Sequence, residues 1–260
     1  MRTQWIPGAV SATFKKTPLS VDEIISLLTE GGLKAVEWSE NVHVMPDDPD
    51  GAALLREKTE KAGLLIAAYG SYYRLGENER PEQAFMSSLR SAEALGAPVI
   101  RVWAGTQASS EVNDEQFSRL ADEAALIAEM ACNAKIKVAF EWHKNTLTDT
   151  NESAGRLLKQ AEHPNLYCLW QPTVALTPLE RVQGIHMMNS RLLNFHVYSW
   201  PDGKRGPLNA AEWQYYLDAA SDMGGTHCAL LEFVRDDTVE QFKADAKTLI
   251  NLLESGEYNG

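Results

Sequence analysis

Cysteine is scarce: only Cys132, Cys168 and Cys228 occur, far apart and odd in number. That excludes a disulfide framework and a zinc ribbon, and it points by default to a cytoplasmic protein. Positive charge is also in deficit, with 24 Lys and Arg against 36 Asp and Glu, for a formal net charge of -12. Gripping a phosphate backbone needs a basic face, so nucleic acid is not an expected partner. No apolar run approaches the roughly 18 residues that cross a bilayer, so a membrane is not expected either. Residues Met1–Gly8 lack the charged and apolar pattern of a signal peptide. No G-x-G-x-x-G follows the first apolar run and no G-x-x-x-x-G-K-[ST] occurs anywhere, which removes the common nucleotide cradles. What remains, at 44% hydrophobic and 23% charged residues, is the composition of an ordinary globular chain.

One pattern runs down the whole sequence: an amphipathic stretch, a small or polar turn, then a short apolar run. The apolar runs are Ala9–Phe14, Ala35–Trp38, Leu65–Tyr69, Val99–Trp103, Val138–Trp142, Leu166–Gln171, Leu192–Tyr198 and Cys228–Phe233. Between them lie helix-forming stretches such as Val21–Thr29, Gly51–Ala62, Pro81–Leu95, Glu115–Asn133, Glu152–Glu162, Pro178–Met188, Ala210–Met223 and Val239–Glu254. In the first of these, Ser20 and Glu23 have the capping-box spacing, Ile24, Ile25, Leu27 and Leu28 form the apolar face, and Gly31-Gly32 stops the helix. Continuous apolar strands alternating with helices imply parallel pairing with both sheet faces covered. Eight such units predict a single (β/α)8 TIM barrel over residues 1–260; the rival, a doubly wound open sheet, usually has fewer strands.

Barrels of this kind build their sites at the carboxyl ends of the strands. Those ends read Glu37, Tyr69, Arg101 with Trp103, Glu141 with His143, Gln171, His196 with Tyr198, and Glu232. Side chains alternate along a strand, so Arg101 and Trp103 share a face, as do Glu141 and His143. A carboxylate at such a position needs a metal, a cation or a substrate as partner. Glu141, Gln171, His196 and Glu232 stand on runs five to eight and offer two carboxylates, an imidazole and an amide oxygen. That donor set suits one divalent ion: Mn, Mg, Co or Zn. The alternative is an Arg101–Glu ion pair beside a satisfied histidine.

Longer motifs surround these positions. They are Glu37-Trp38 with His43-Val44, Ala68-Tyr69-Gly70-Ser71-Tyr72-Tyr73, Ile100-Arg101-Val102-Trp103-Ala104-Gly105, and Glu141-x-His143 with Thr146-Leu147-Thr148-Asp149-Thr150. Trp170-Gln171-Pro172, Phe195-His196-Val197 and Leu230-Leu231-Glu232-Phe233-Val234 continue the series. The chain resembles the xylose-isomerase-like TIM barrels, in particular their sugar phosphate isomerase/epimerase members. The resemblance implies a divalent-metal site in which Glu141, His196 and Glu232 take the places of two glutamates and a histidine. Gln171 falls where the family has an aspartate, and Val174 where a histidine often follows; both are departures.

The implied activity is isomerisation or epimerisation of a sugar or keto-polyol. Glu141 and Glu232 would pass a proton through an ene-diolate next to a metal-polarised carbonyl, and His143 or Arg101 would steady the oxyanion. Two alternatives use the same site: a dehydratase or lyase, or a sugar-binding barrel without turnover. Glu37, His43, Tyr69, Trp103 and Trp170 are the expected substrate contacts. For the tryptophans the competing role is core packing, and for His43 a surface loop. Lys204 and Arg205 follow strand seven, where they would either grip an anionic group or sit in solvent. A homo-oligomer is possible, but no apolar stripe marks an interface.

Overall fold

The structure, a computed structural model, describes residues 2–17 and 19–255. Eight parallel strands close into a barrel in sequence order. They are β1 (Gln4–Val10), β2 (Ala35–Ser39), β3 (Leu65–Arg74), β4 (Val99–Trp103), β5 (Lys137–Glu141), β6 (Leu166–Trp170), β7 (Leu192–Val197) and β8 (Thr226–Leu231). Helices follow the strands in turn: α1 (Val21–Glu30), α2 (Pro49–Lys61), α3 (Pro81–Leu95), α4 (Asp114–Asn133), α5 (Asn151–Ala161), α6 (Pro178–Met188), α7 (Ala210–Ala219) and α8 (Val239–Ser255). The (β/α)8 expectation is met. No helix among the described residues is long and apolar enough to cross a membrane.

Local chemistry sets the helix ends as read from the sequence. Ser20 Oγ accepts the Glu23 amide while the Glu23 carboxylate accepts the Ser20 amide, closing the capping box of α1. Asn113–Gln116 and Thr177–Glu180 repeat the device on α4 and α6. Gly31 keeps helical angles, and Gly32, at φ 78°, makes the turn into β2.

The first strand departs from expectation. It starts at Gln4 and pairs with β8 from Gln4 to Ala9, whereas Ser11–Phe14 forms a 3-10 turn. Pro7-Gly8 reads as a break in the sequence, since proline cannot complete a ladder and glycine weakens a strand. Here Pro7 still accepts the Lys34 amide at 2.7 Å. A Cβ at position 8 would lie 2.4 Å from the Ala35 carbonyl oxygen, so only glycine lets β1 and β2 approach. Strand three also runs further than expected, to Arg74.

Most of the apolar core lies in one large cluster, which includes helix residues such as Ile24, Phe85, Phe117, Leu157, Trp213 and Phe242. Two small clusters stand apart: Val10, Ala35, Ala67 and Leu230, and Ala68, Val99, Ala139 and Leu169. Ala35, Leu230, Val99, Ala139 and Leu169 lie two residues before Glu37, Glu232, Arg101, Glu141 and Gln171. Strand alternation therefore puts these polar side chains on the same inner face, one layer nearer the mouth.

His43, in the turn after β2, packs edge-on against Trp38 at 5.7 Å, with Nδ1 buried and unpartnered. Burial lowers its pKa to about 4. Between pH 6.5 and 4 the unfolded chain therefore takes up a proton that the folded chain refuses, and stability falls as pH falls. Thermal unfolding should show this: His43→Leu should lose less melting temperature than wild type between pH 7 and pH 4.

Candidate active site

The inner face carries a chain of buried charges. Arg101, on β4, donates from Nε and Nη2 to Glu37 Oε1, both at 3.4 Å, and from Nη1 to the Ser71 carbonyl at 3.0 Å. Its Nε also lies 3.2 Å from Glu141 Oε2. On the far side of Glu37, His196 Nε2 stands 3.0 Å from Oε2. A carboxylate can only accept, so the proton lies on Nε2 and Nδ1 is the nitrogen left facing Glu232. Burial by itself would raise the pKa of Glu37, but His196 and Arg101 outweigh it and hold it below the usual carboxylate value. Burial would likewise depress His196, yet Glu232 and Glu37 lift it to about 10.

The two outer glutamates sit in unlike surroundings. Glu141 Oε1 accepts the Gln171 side-chain amide at 2.8 Å, and Oε2 accepts the Trp103 indole at 2.9 Å beside the Arg101 contact. Gln171 Nε2 also donates to the Trp142 carbonyl at 2.6 Å, which pins the amide. Glu232 Oε2 has no hydrogen bond, and neither has His196 Nδ1, although the two are buried 3.3 Å apart. Burial, reinforced by Glu141, raises the pKa of Glu232 against the pull of His196 and Arg101.

This arrangement bears on the divalent ion that the sequence suggests. Among the described residues no three His, Cys, Asp or Glu side chains converge as a ready-made cage. Glu141 and Gln171 are tied to each other, while His196 and Glu232 face each other. The donors nevertheless fit an ion. An imidazole nitrogen and a carboxylate oxygen, both buried, lack partners, and Glu141 and Gln171 line the same cavity as Glu232. Charge fits too: with His196 neutral, Arg101 and a divalent ion together balance the three carboxylates. A buried set left one charge short is costly, so this balance matters.

The cavity above these residues has a volume of about 340 Å³. Arg101, Trp103, Glu141, Gln171 and Glu232 reach it from below, and Tyr72, His143, Lys144, Tyr198 and Trp200 form part of its wall. Trp103 is stacked by the Arg74 guanidinium at 4.3 Å and met edge-on by Tyr72 at 5.3 Å. Lys15, Lys16 and Arg205 add positive charge at the rim.

Of the expected site residues, the structure gathers Arg101, Trp103, Glu141, His143, Gln171 and Glu232 at the cavity and places Glu37 and His196 directly beneath them. Four expected substrate contacts do not line it: Glu37 lies beneath it, and the other three lie elsewhere. Tyr69 donates its hydroxyl to Glu40 at 2.8 Å and is fully buried. Trp170 points outward, packed on Phe195, Trp213 and Tyr216 with ring centroids 4.8–5.9 Å apart. His43 lies against Trp38. The reason is alternation: Trp38, Trp142 and Trp170 each adjoin an inward-facing residue and so face the helices. Arg205 lines the cavity, whereas Lys204 is not among its lining residues.

Two features were missed by sequence reasoning. Lys15-Lys16, a pair of cations just past the first apolar run in an acidic chain, was a readable signal. Gly70 was not, because its reason is spatial. A Cβ there would lie 2.5 Å from Glu37 Oε1 and 2.9 Å from Arg101 Nη2, in space the ion pair occupies. Gly70→Ala should therefore cost about 1–3 kcal/mol of stability, as overpacking does. Denaturant unfolding measures this; a loss below about 0.5 kcal/mol would show that the pair yields freely.

Comparison with known proteins agrees with this architecture. The chain is 24% identical over 265 residues to a 3-dehydroshikimate dehydratase of Bacillus anthracis, covering 92% of this chain and 94% of that protein. Among solved structures, a "probable 3-DHS dehydratase" of Bacillus anthracis superposes with a TM-score of 0.80 at 18% identity, covering 95% of this chain and 99% of that one. An L-ribulose 3-epimerase gives 0.74 at 13% identity over 98% and 95% of the two chains. The IolI protein, solved with a zinc atom, gives 0.70 at 12% identity over 98% and 99%. At these identities the structural likenesses establish the fold alone. The model of the xylose isomerase-like TIM barrel family matches residues 25–173. More than half of the sequence carries that match, and the chain belongs to the xylose isomerase-like TIM barrel family.

Proposed function

We propose that the protein is a lyase that removes water from a polyhydroxy ketone, with one divalent ion held by His196 and Glu232 and completed by Glu141 and Gln171. The observation that carries this reading is the unlike setting of the two glutamates. Passing a proton between opposite faces, as an epimerase does, calls for two groups free to give and take it. Both oxygens of Glu141 are committed to Gln171, Trp103 and Arg101. Glu232 Oε2 accepts no hydrogen bond, so of the two carboxylates Glu232 is the one left free to take a proton. One acid/base group is what an elimination needs.

In this mechanism Glu232 removes the proton on the carbon next to the ketone, and the C–H electron pair moves into the carbonyl to give an enolate. The enolate re-forms the ketone as the carbon–oxygen bond to the neighbouring hydroxyl breaks. Glu232 returns its proton to that departing oxygen, which leaves as water, so the enzyme ends unchanged. A bound divalent ion supplies Lewis acidity, polarising the carbonyl and making the adjacent C–H more acidic. Arg101 holds Glu141 in place, and Trp103 and Tyr72 offer the faces against which a sugar-like ring packs. His143 stands at the cavity wall. The sequence similarity to a named dehydratase is consistent with elimination. An isomerase or epimerase, the expectation from sequence, would share the first step and differ in where the proton returns.

Incubation with 3-dehydroshikimate, the substrate in that relative's name, and with a panel of ketohexoses in D2O separates the reactions. Loss of water, seen as an aromatic ultraviolet band or a mass change of one water, is the expected result. Deuterium uptake with a new epimer and no water loss would overturn the lyase assignment. Glu232→Gln should lower kcat by about 10²–10⁴-fold, the usual contribution of a general base. Metal analysis by inductively coupled plasma mass spectrometry should find about one divalent ion per chain, lost in Glu232→Ala.

A further inference from the structure

Three loops meet at one carboxylate on the rim of the cavity. Asp237, after β8, accepts Lys16 from the β1 loop at 3.3 Å through Oδ2 and Arg205 from the β7 loop through Oδ1. Its main-chain carbonyl takes the Thr17 hydroxyl at 2.9 Å. The Arg205 guanidinium lies over the Phe233 ring at 4.7 Å. Lys16, Arg205, Phe233 and Asp237 all line the cavity. Phe233, Asp236 and Asp237 adopt left-handed angles, with φ of 56°, 60° and 52°. Aspartate tolerates these angles, whereas Phe233 keeps them only where its surroundings hold it.

We propose that Asp237 is a resident stand-in for an anionic group of the substrate. It occupies Lys16 and Arg205 until a carboxylate or phosphate on the incoming molecule takes its place. A neutral sugar carries no group able to displace it, so the rim selects charged substrates although the chain as a whole is strongly acidic. The same exchange removes the side-chain ties of the β8 loop to Lys16 and Arg205 and leaves in place the Thr17 hydroxyl on the Asp237 carbonyl. The proposal deepens the lyase reading by naming its substrate as anionic, and it rests on that reading only for the reacting carbon lying in the same cavity. The anion contact itself needs no turnover to be read.

Isothermal titration with inorganic phosphate and, separately, with gluconate tests it on wild type, Asp237→Asn and the double variant Asp237→Asn/Arg205→Gln. Removing the competing carboxylate should tighten at least one of the two anions about three- to fivefold, the affinity equivalent of a partly exposed ion pair. The double variant should lose that gain. Whichever anion gains identifies the substrate's charged group as phosphate or carboxylate. Equal or weaker binding of both anions by Asp237→Asn, or a gain that survives loss of Arg205, overturns the proposal. Should Asp237→Asn fail to fold, Arg205→Gln alone decides: its anion affinity should fall below wild type, and an unchanged affinity overturns the proposal. A gain in binding without any elimination would sink the lyase reading and leave the role of Asp237 standing.

Discussion

The buried Arg101 guanidinium is the interaction on which the rest of the site depends. It stands inside the barrel between Glu37 and Glu141, and desolvating such a group is affordable only with close opposite charge. Its position dictates the neighbours. Gly70 must lack a side chain to leave room for the pair, and the Ser71 carbonyl must turn inward to accept Nη1. Glu37, fixed by Arg101, in turn fixes the His196 ring through Nε2. With His196 neutral, Arg101 alone faces the three carboxylates of this set, a shortfall that one divalent ion makes up.

That imbalance gives the site its chemistry. Glu141 is an anchor, with each oxygen accepting a donor, whereas Glu232 keeps an oxygen without a hydrogen bond. Environments that divide two carboxylates into unlike roles are a common means of assigning acid/base function. The departure at Gln171 gains a physical meaning here. An aspartate there would add a charge beside Glu141, but the amide donates a hydrogen bond to it and to the Trp142 carbonyl. The substitution stiffens Glu141.

The barrel was legible in the sequence because eight strand–helix units recur with little between them. Its first strand begins at Gln4 rather than at Ala9, where the apolar run starts, and the close approach of Ala35 that requires Gly8 is a tertiary fact. Among site residues, Arg101, Glu141, Gln171, His196 and Glu232 followed from strand ends and alternation. Tyr69 and Trp170 lie away from the cavity for opposite reasons. Alternation from Gln171 already turned Trp170 outward, whereas nothing in sequence announced that Tyr69 would bond to Glu40. At the rim, Arg205 was legible as an anion contact after strand seven, whereas its meeting with Lys16 and Asp237 was not, because Lys16 and Asp237 are 221 positions apart and meet only once the barrel closes.

The division of labour between the two glutamates is the central claim, and C–H exchange measures it most directly. Substrate incubated in D2O with Glu141→Gln and with Glu232→Gln can be followed by NMR at the carbon next to the ketone. The account predicts that Glu141→Gln, though weakened in binding, still exchanges that proton, and that Glu232→Gln does not. Exchange that persists in Glu232→Gln and vanishes in Glu141→Gln would contradict it.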